Sequence, residues 1–378
     1  MDIVVVGGGI AGSACGHRLA RAGADVRLFD RGDEGRATDA GAGIVSPPTS
    51  SRSADDAWLR LAVEAADRYP DLVAELGDAV GRAGYAPHPL LRVALPGEES
   101  SFDRALADLR ERGDRLGVPD LDAVTTLDPA DARARFPPLG EVTRALLYEG
   151  AARVDGRRFA AACREAGEAA GLVVERGDVE RLRVADGAVT GVVVDGEPVD
   201  ADAVVVAGGA WSGAFADDLG VPVPVEPMRG QIVHLDAGRG GDDPATGDWP
   251  ILTTTGHGYV VPWPEGHVVA GATYEEGSGF VPYPDVAGVR TVLDRTERAA
   301  PGLASAAFEE VRVGLRPATP DGRPVVGGVP GVEGAYVATG FGPTGLTIGP
   351  YAGEVVADLA LGRDPGVDLG AFAVGRFR

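Results

Sequence analysis

The stretch Met1-Asp-Ile-Val-Val-Val-Gly7-Gly-Gly9-Ile-Ala-Gly12 has the pattern of an apolar strand, a glycine turn and the start of a helix. Gly7 allows a tight turn, Gly9 lets the backbone approach a pyrophosphate, and Gly12 allows close packing of helix on sheet. The first turn of the helix would present N–H donors and a positive dipole end to phosphates. A second strand, residues 25–29, ends on Asp30, at about the 20-residue offset typical of a carboxylate that binds a ribose. In this context the glycines indicate a dinucleotide site rather than a ligand-free loop.

Length and charge limit the classes of protein to consider. A chain of 378 residues exceeds the size at which one core stops growing, so we expect two domains. Neither a signal peptide nor an apolar run of about 18 residues is visible, which predicts a cytoplasmic protein without a membrane span.

The chain has 57 acidic and 35 basic residues, a net charge of −22, and no lysine. An acidic patch would suit a basic partner, but the acids are scattered, which favours adaptation to a salt-rich, halophilic cytoplasm. The lack of a basic stripe argues against nucleic-acid binding.

The two cysteines and five histidines predict neither a disulfide nor a metal site. Cys15 and Cys163 fall inside predicted helices, where cysteine usually behaves as a small buried hydrophobe. The histidines are separated in sequence and show no ligand spacing.

Periodicity along the chain predicts an α/β fold in which two domains alternate. Apolar residues at helical spacing over residues 53–76 predict a helix whose stripe belongs to the core rather than to a cofactor site. The run at residues 204–207 has no polar alternation, as in a parallel strand buried on both faces. We therefore expect a discontinuous Rossmann-like domain (residues 1–84, 150–224 and 312–378). The second, α+β domain, with a largely antiparallel sheet, takes residues 85–149 and 225–311.

Both NAD and FAD use the opening fingerprint, so other segments must decide between them. The chain resembles the D-amino acid oxidase/glycine oxidase family of FAD-dependent amine oxidoreductases over nearly its whole length. The resemblance rests on an ordered set of motifs: Val4-Val-Val-Gly7-Gly-Gly9-Ile-Ala-Gly12, Phe29-Asp30-Arg31-Gly, Ala42-Gly43-Ile44, Val204-Val-Val-Ala207-Gly-Gly-Ala-Trp211, Gly258-Tyr259-Val-Val-Pro262, Gly314-Leu-Arg316-Pro and Gly340-Phe-Gly342-Pro-Thr-Gly345.

The resemblance implies that non-covalent FAD lies extended through the first domain, with Asp30 on the adenine ribose and Val179 backbone at the adenine. The cofactor-binding residues it implies are Gly7, Gly9, Ile10, Ala11, Gly12, Asp30, Arg31, Thr38, Asp39, Ala42, Gly43, Ile44, Val45, Val179, Ala207, Gly208, Trp211, Gly342, Pro343, Thr344, Gly345, Leu346 and Thr347. A helix that begins near Thr347 would place its positive end at the flavin edge that becomes negative on reduction. A covalent link is not expected, because residues 37–48 contain neither Cys nor His.

Arg316 and Tyr259 are the predicted catalytic residues. An arginine at an otherwise apolar strand end has a planar fork suited to a carboxylate, and the resemblance assigns it the substrate's α-carboxylate. The alternatives are a structural ion pair for Arg316 and a core aromatic for Tyr259. His257 should share a strand face with Tyr259, although a solvated loop histidine is the simpler interpretation. The glycine oxidase pattern has a second arginine where this chain has Pro343-Thr344, so Thr344, the backbone or a larger substrate must compensate.

The implied reaction is hydride transfer from the α-carbon of a D-amino acid, glycine or sarcosine to flavin N5, giving a 2-oxo acid and ammonia. Positioning does most of the work, so no dedicated acid or base is required. Dioxygen or another electron carrier would be the acceptor, and the oligomeric state, a homo-oligomer included, stays open. Two alternatives remain: oxidation of a 2-hydroxy acid or polyol, and an electron-transfer subunit of a larger dehydrogenase.

Overall fold

The computed structural model describes residues 1–238, 245–256 and 258–378. The helices are α1 (Ile10–Arg21), α2 (Asp56–Ala74), α3 (Glu99–Leu116), α4 (Pro129–Arg135), α5 (Gly156–Ala169), α6 (Ala216–Leu219), α7 (Val286–Ala299) and α8 (Gly345–Ala360). The strands are β1 (Asp2–Val6), β2 (Asp25–Asp30), β3 (Ile44–Val45), β4 (Tyr85–Pro87), β5 (Leu90–Ala94), β6 (Val124–Leu127), β7 (Arg144–Tyr148), β8 (Ala152–Val154), β9 (Val173–Arg176), β10 (Val179–Ala185), β11 (Ala188–Val194), β12 (Glu197–Asp200), β13 (Ala203–Val206), β14 (Glu226–Asp236), β15 (Ile251–Thr254), β16 (Tyr259–Pro262), β17 (His267–Gly271), β18 (Ala307–Ala318), β19 (Val325–Gly328) and β20 (Ala335–Thr339).

A six-stranded sheet in the order β19-β20-β13-β1-β2-β9 contains the opening glycine motif. Every neighbouring pair in it is parallel except β19 with β20. The apolar run of β1 is buried on both faces, with Ile3 and Val5 in one hydrophobic cluster and Val4 and Val6 in another. This two-sided burial explains why the strand has no polar alternation.

The first and last helices pack against each other on one side of this sheet. A Cβ built on Gly353 of α8 would lie 2.3 Å from the carbonyl oxygen of Ala11 in α1, so the two backbones are nearly in contact. Helix α2 begins where the Asp55 side chain accepts hydrogen bonds from Ala57 N and Trp58 N. Its apolar stripe, including Trp58 and Tyr69, is buried as predicted.

An eight-stranded sheet in the order β18-β14-β17-β16-β15-β5-β7-β6 forms the second layer. It is antiparallel except for the β15–β5 pair, which confirms the predicted α/β fold with a largely antiparallel second sheet. One face packs against α4 and α7 through a cluster that includes Leu91, Phe136 and Val292. The other face carries Leu90, Ile251 and Tyr259. Strand β18 runs through residue 312, where we expected a domain boundary.

Smaller sheets join β10-β11-β12 and β3-β8-β4. The elements that had not been predicted from the sequence include β12, β15 and α7. Within the described ranges, no helix is both long enough and apolar enough to cross a membrane.

Candidate active site and cofactor cavity

The glycine turn after β1 is shaped by close backbone contacts. Gly7 adopts a φ of 100°, in the left-handed region that favours glycine. A Cβ on Gly7 would lie 2.6 Å from the carbonyl oxygen of Ala207, and one on Gly12 would lie 1.9 Å from the carbonyl oxygen of Gly7. Neither position has room for a side chain, so the turn presents bare backbone at the start of α1.

Asp30 closes this turn from the end of β2. Its carboxylate accepts hydrogen bonds from Gly8 N, from Gly32 N at 2.7 Å and from Arg36 Nη1 at 3.2 Å. Thr38 Oγ1 accepts from Ile10 N at 3.0 Å, which satisfies one of the free donors of α1. These contacts fix the carboxylate and the first turn of the helix relative to each other.

A cavity of about 610 Å³ extends from the glycine turn to the N-terminus of α8 and the face of the eight-stranded sheet. Most of the predicted site residues line it: Gly7, Gly9, Ile10, Ala11, Asp30, Arg31, Thr38, Ala42, Gly43, Ile44, Val179, Ala207, Gly208, Trp211, Tyr259, Arg316 and all six residues from Gly342 to Thr347. The cavity therefore brings together segments that are far apart in the chain.

Three predicted residues do not line this cavity. Gly12 is buried between α1 and the turn, where its role is packing. Val45 joins a hydrophobic cluster with Ile10 and Val154. Asp39 forms an ion pair with Arg36 at 2.8 Å and borders a second, smaller cavity that shares Gly9 and Thr38 with the first. His257 lies outside the described residues.

Helix α8 begins at the cavity wall with its backbone donors free of side-chain caps. The Thr344 hydroxyl, at the N-cap position, instead donates to the Phe341 carbonyl oxygen at 2.8 Å. The free N–H groups and the positive end of the helix dipole would therefore stabilise negative charge in the cavity.

Arg316 and Tyr259 lie over two glycines on adjacent strands of the second sheet. A Cβ on Gly230 of β14 would lie 2.2 Å from Arg316 Nη2, and a Cβ on Gly271 of β17 would lie 2.4 Å from the Tyr259 hydroxyl. Arg316 Nη1 donates to the Thr273 carbonyl oxygen at 2.9 Å, and its Cζ lies 4.6 Å from the centroid of the Tyr274 ring. Burial raises the pKa of Tyr259, an effect that the charge of Arg316 partly opposes.

Three arginines line the cavity, and two of them are neutralised by acids. Arg31 pairs with Asp33 and Asp178, and Arg36 pairs with Asp30 and Asp39. Arg316 forms no ion pair with any Asp or Glu in the part of the chain that the structure describes. The structural ion pair that we considered for Arg316 is thus not observed there, and its charge is available to an anionic ligand.

The comparison with protein families decides the identity of this site. A family model described as "FAD dependent oxidoreductase" (DAO) matches residues 2–359. The chain belongs to the FAD-dependent oxidoreductase family.

Individual relatives match over nearly the full length of this family member. An uncharacterised oxidoreductase, YurR, of Bacillus subtilis is 37% identical over 371 residues, which is 98% of this chain and 97% of that protein. A glycine oxidase of Pseudomonas aeruginosa is 31% identical over 377 residues, 98% of each chain. The crystal structure of an iminodiacetate oxidase from Chelativorans sp. BNC1 matches with a TM-score of 0.91 and 34% identity, again over 98% of each chain.

The residues of this oxidoreductase fit FAD. Gly7 and Gly43, both with positive φ, line the cavity as bare backbone, because a Cβ at either position would collide with a carbonyl oxygen of a neighbouring segment. No Cys or His among the described residues lines the cavity. Cys15 and Cys163 are buried elsewhere, and burial raises the pKa of both thiols. These observations agree with non-covalent binding.

Two further site residues were not predicted from the sequence. Tyr274 lines the cavity and packs on Arg316. Arg52 donates through Nη1 to the Gly322 carbonyl oxygen, and its Nη2 lies 3.3 Å from where a Cβ on Gly342 would stand. An arginine from a distant loop thus reaches the turn in which this chain has Pro343-Thr344. No local pattern signals either residue, because tertiary folding alone brings them to the site.

Proposed function

We propose that this FAD-dependent enzyme oxidises the C–N bond of a small amino acid or amine, namely a D-amino acid, glycine or sarcosine. Water would hydrolyse the resulting imine to a 2-oxo acid and ammonia, or to a 2-oxo acid and methylamine when the substrate is sarcosine. The observation that carries the proposal is Arg316, a cavity-lining guanidinium without an acidic partner among the described residues. The glycine oxidase and iminodiacetate oxidase relatives support the same reaction class.

Arg316 has the geometry to hold an α-carboxylate. One of its five N–H donors is used by Thr273, which fixes the plane of the guanidinium and leaves donors for a bidentate contact. The Tyr274 ring supports one side of the same group. A carboxylate bound there would find a favourable charge without displacing a protein acid.

Tyr259 would donate a second hydrogen bond to that carboxylate. Because burial raises the pKa of its hydroxyl, the side chain stays protonated and remains a donor through neutral and moderately alkaline pH. The two residues together orient the substrate, and orientation supplies a large share of the catalysis in such reactions. When bound, FAD supplies the two-electron acceptor for the hydride of the substrate α-carbon.

We further propose the division of labour predicted from the sequence. Residues 1–84, 150–224 and 312–378 would hold the cofactor, and residues 85–149 and 225–311 would bind the substrate. The lining of the cavity supports this division. The glycine turn, Asp30 and the start of α8 come from the cofactor segments, whereas Tyr259 comes from the substrate segments. Arg316, on a strand of the second sheet, would belong functionally to the substrate side.

The test is an anaerobic panel of substrates with the purified holoenzyme. The visible flavin absorbance would be followed after the enzyme is mixed with each compound of the panel. The panel contains glycine, sarcosine, D-amino acids, L-amino acids, 2-hydroxy acids and uncharged amines. We expect bleaching with amino acids and no bleaching with 2-hydroxy acids. Bleaching by 2-hydroxy acids alone would contradict the proposal, and so would a protein that no compound reduces.

A further inference from the structure

A row of polar residues continues beyond Tyr259 on the cavity face of the eight-stranded sheet. Tyr259 of β16 is paired with Thr253 of β15, and Thr253 is paired with Arg92 of β5. Residues paired in register on neighbouring strands project from the same face of a sheet. Tyr259, Thr253 and Leu90, two residues before Arg92, all line the cavity. The strand register therefore places Arg92 on the same face, two strands away from Tyr259, next to the cavity-lining Thr253 but not itself among the residues that line the cavity.

Three buried polar atoms in this row and beside it have no hydrogen-bond partner: Arg92 Nε, Thr253 Oγ1 and Arg112 Nε. Arg112 comes from α3, and its Nη2 donates to the carbonyl oxygen of Pro48, in a turn whose neighbouring residues line the cavity. Buried polar groups are almost always bonded, so a group of exceptions calls for an explanation such as a bound ion or ligand.

The charge of Arg92 is also uncompensated, whereas Asp108, Glu111 and Asp56 partly compensate the charge of Arg112. Neither Arg92 nor Arg112 forms an ion pair with an acid in the described ranges, and Arg92 makes no side-chain hydrogen bond there. Burial lowers the pKa of the Arg92 guanidinium, and the like charge of Arg112 lowers it further. An uncompensated cation in a desolvated place is costly, and an anion that entered it would remove that cost.

We propose that Arg92, together with Thr253 and Arg112, binds a second carboxylate of the substrate. The inference rests on the proposed function, in which Arg316 binds the first carboxylate. It defines the substrate class more narrowly: an amine that carries one carboxylate beside the reacting carbon and another on a side chain or N-substituent.

The sheet geometry bears on the length of that substrate. The Arg316 guanidinium lies over Gly230 on β14, and four strand spacings, roughly 19 Å, separate β14 from β5. Because this distance starts at the Arg316 guanidinium, only the extended Arg92 side chain and the hydrogen bonds at both ends shorten it. A substrate that reaches both sites needs several bonds between its carboxylates, as in acidic D-amino acids with long side chains or N-carboxyalkyl amino acids.

Matched substrate pairs test the proposal. D-Glutamate and D-2-aminoadipate would be compared with their side-chain amides, and iminodiacetate with sarcosine, in the parent and in Arg92→Leu, Arg92→Lys and Arg144→Leu. Arg144 is the control, because it is an exposed arginine on the adjacent strand β7 and pairs with Asp103 at 3.3 Å. We expect Arg92→Leu to raise KM for the best dicarboxylate roughly 30-fold or more, with kcat little changed. Arg92→Leu should not change the kinetics of the monocarboxylate member of each pair, and Arg144→Leu should not change the kinetics of either member. Arg92→Lys should recover part of the loss.

A binding measurement on the holoenzyme separates the two proposals. Glutarate and adipate carry no amine to be oxidised, and each should raise the melting temperature of the parent by more than that of Arg92→Leu, which keeps only the Arg316 site. Without ligand, Arg92→Leu should melt no lower than the parent, because it removes an uncompensated buried charge. The inference is overturned if the variant loses all substrates equally and melts lower, or if dicarboxylates and amides are equivalent in the parent. Failure of every amine to reduce the enzyme, with glutarate binding intact, would instead contradict the proposed function.

Discussion

Replacing Arg316 by leucine tests the central assignment. The variant loses a guanidinium that would form a bidentate ion pair with the substrate carboxylate in a desolvated cavity. Breaking such a pair costs about 2–5 kcal/mol, which corresponds to a loss of roughly 30- to 5,000-fold in kcat/KM for amino acids. Among the described residues, the substitution removes the hydrogen bond to Thr273 and the contact with Tyr274 and leaves an aliphatic side chain to pack over Gly230. Those two contacts are worth about 1–2 kcal/mol of folding stability, so the fold and FAD binding should survive.

The assay is steady-state kinetics with amino acids and with amines that lack a carboxylate. Arg316→Lys should recover only part of the activity, because an ammonium group cannot reproduce the planar fork. Arg312→Leu is the control on the same strand, since Arg312 pairs with Glu310 and does not line the cavity. Amines without a carboxylate should be oxidised at the parental rate by every variant. Unchanged amino acid oxidation in Arg316→Leu, or an equal loss for both kinds of substrate, would refute the reasoning.

Four further predictions concern the cofactor, the turn, the charge and the acid stability. Asp30→Ala removes the carboxylate that accepts hydrogen bonds from Gly8 N and Gly32 N. The variant should bind FAD about 1–3 kcal/mol more weakly in a fluorescence titration. An unchanged affinity would disprove the proposed role of this carboxylate in FAD binding. Gly12→Ala places a Cβ 1.9 Å from the Gly7 carbonyl oxygen, so it should lower the melting temperature and release FAD. Gly81→Ala is the control, because a Cβ there meets nothing within 4 Å and Gly81 does not have a positive φ, so this variant should keep the cofactor. The net charge of −22 predicts a melting temperature that rises steeply with KCl as self-repulsion is screened, and a flat curve would contradict the halophile interpretation. Burial lowers the pKa of His17 to about 4, so the unfolded chain binds the proton more readily than the folded protein does. The free energy of unfolding should therefore decrease as the pH falls from 6.5 towards 4. His17→Gln should lessen this decrease in denaturant titrations at about pH 7 and about pH 5.

The fold was predictable where a segment's own residues decide its structure. The apolar run before Gly7 is buried on both faces in β1, and the stripe through Trp58 and Tyr69 is buried in α2. β15 was missed because its residues, Ile251–Thr254, become a strand by pairing with β5, about 160 residues earlier in the chain. α7 was missed because only a narrow face of it, with Val292 and Ala299, is buried.

In the site, too, some residues could be predicted from the sequence and others could not. The glycine turn and Asp30 follow from spacing, and Arg316 and Tyr259 followed from family motifs; all of these line the cavity except Gly12. Arg52, Tyr274 and Arg92 could not be predicted, because nothing near them in the sequence distinguishes them from ordinary surface or core residues. Asp39 and Val45 were predicted to line the cavity but do not. A motif places a residue near a cavity but does not determine which way its side chain points.

The near-contact of α1 with α8 has a consequence for how the chain matures. Helix α1, which follows the glycine turn, packs against α8, more than 300 residues later in the chain, and β20 must also join the same sheet as β1. Contacts between the two ends of a chain form slowly, because a long loop has to close before they contribute any stability. During synthesis, the glycine turn therefore leaves the ribosome long before its packing partner exists. A chain truncated before residue 345 should be unable to retain the cofactor, so stable FAD binding has to wait until α8 has been synthesised and has packed on α1.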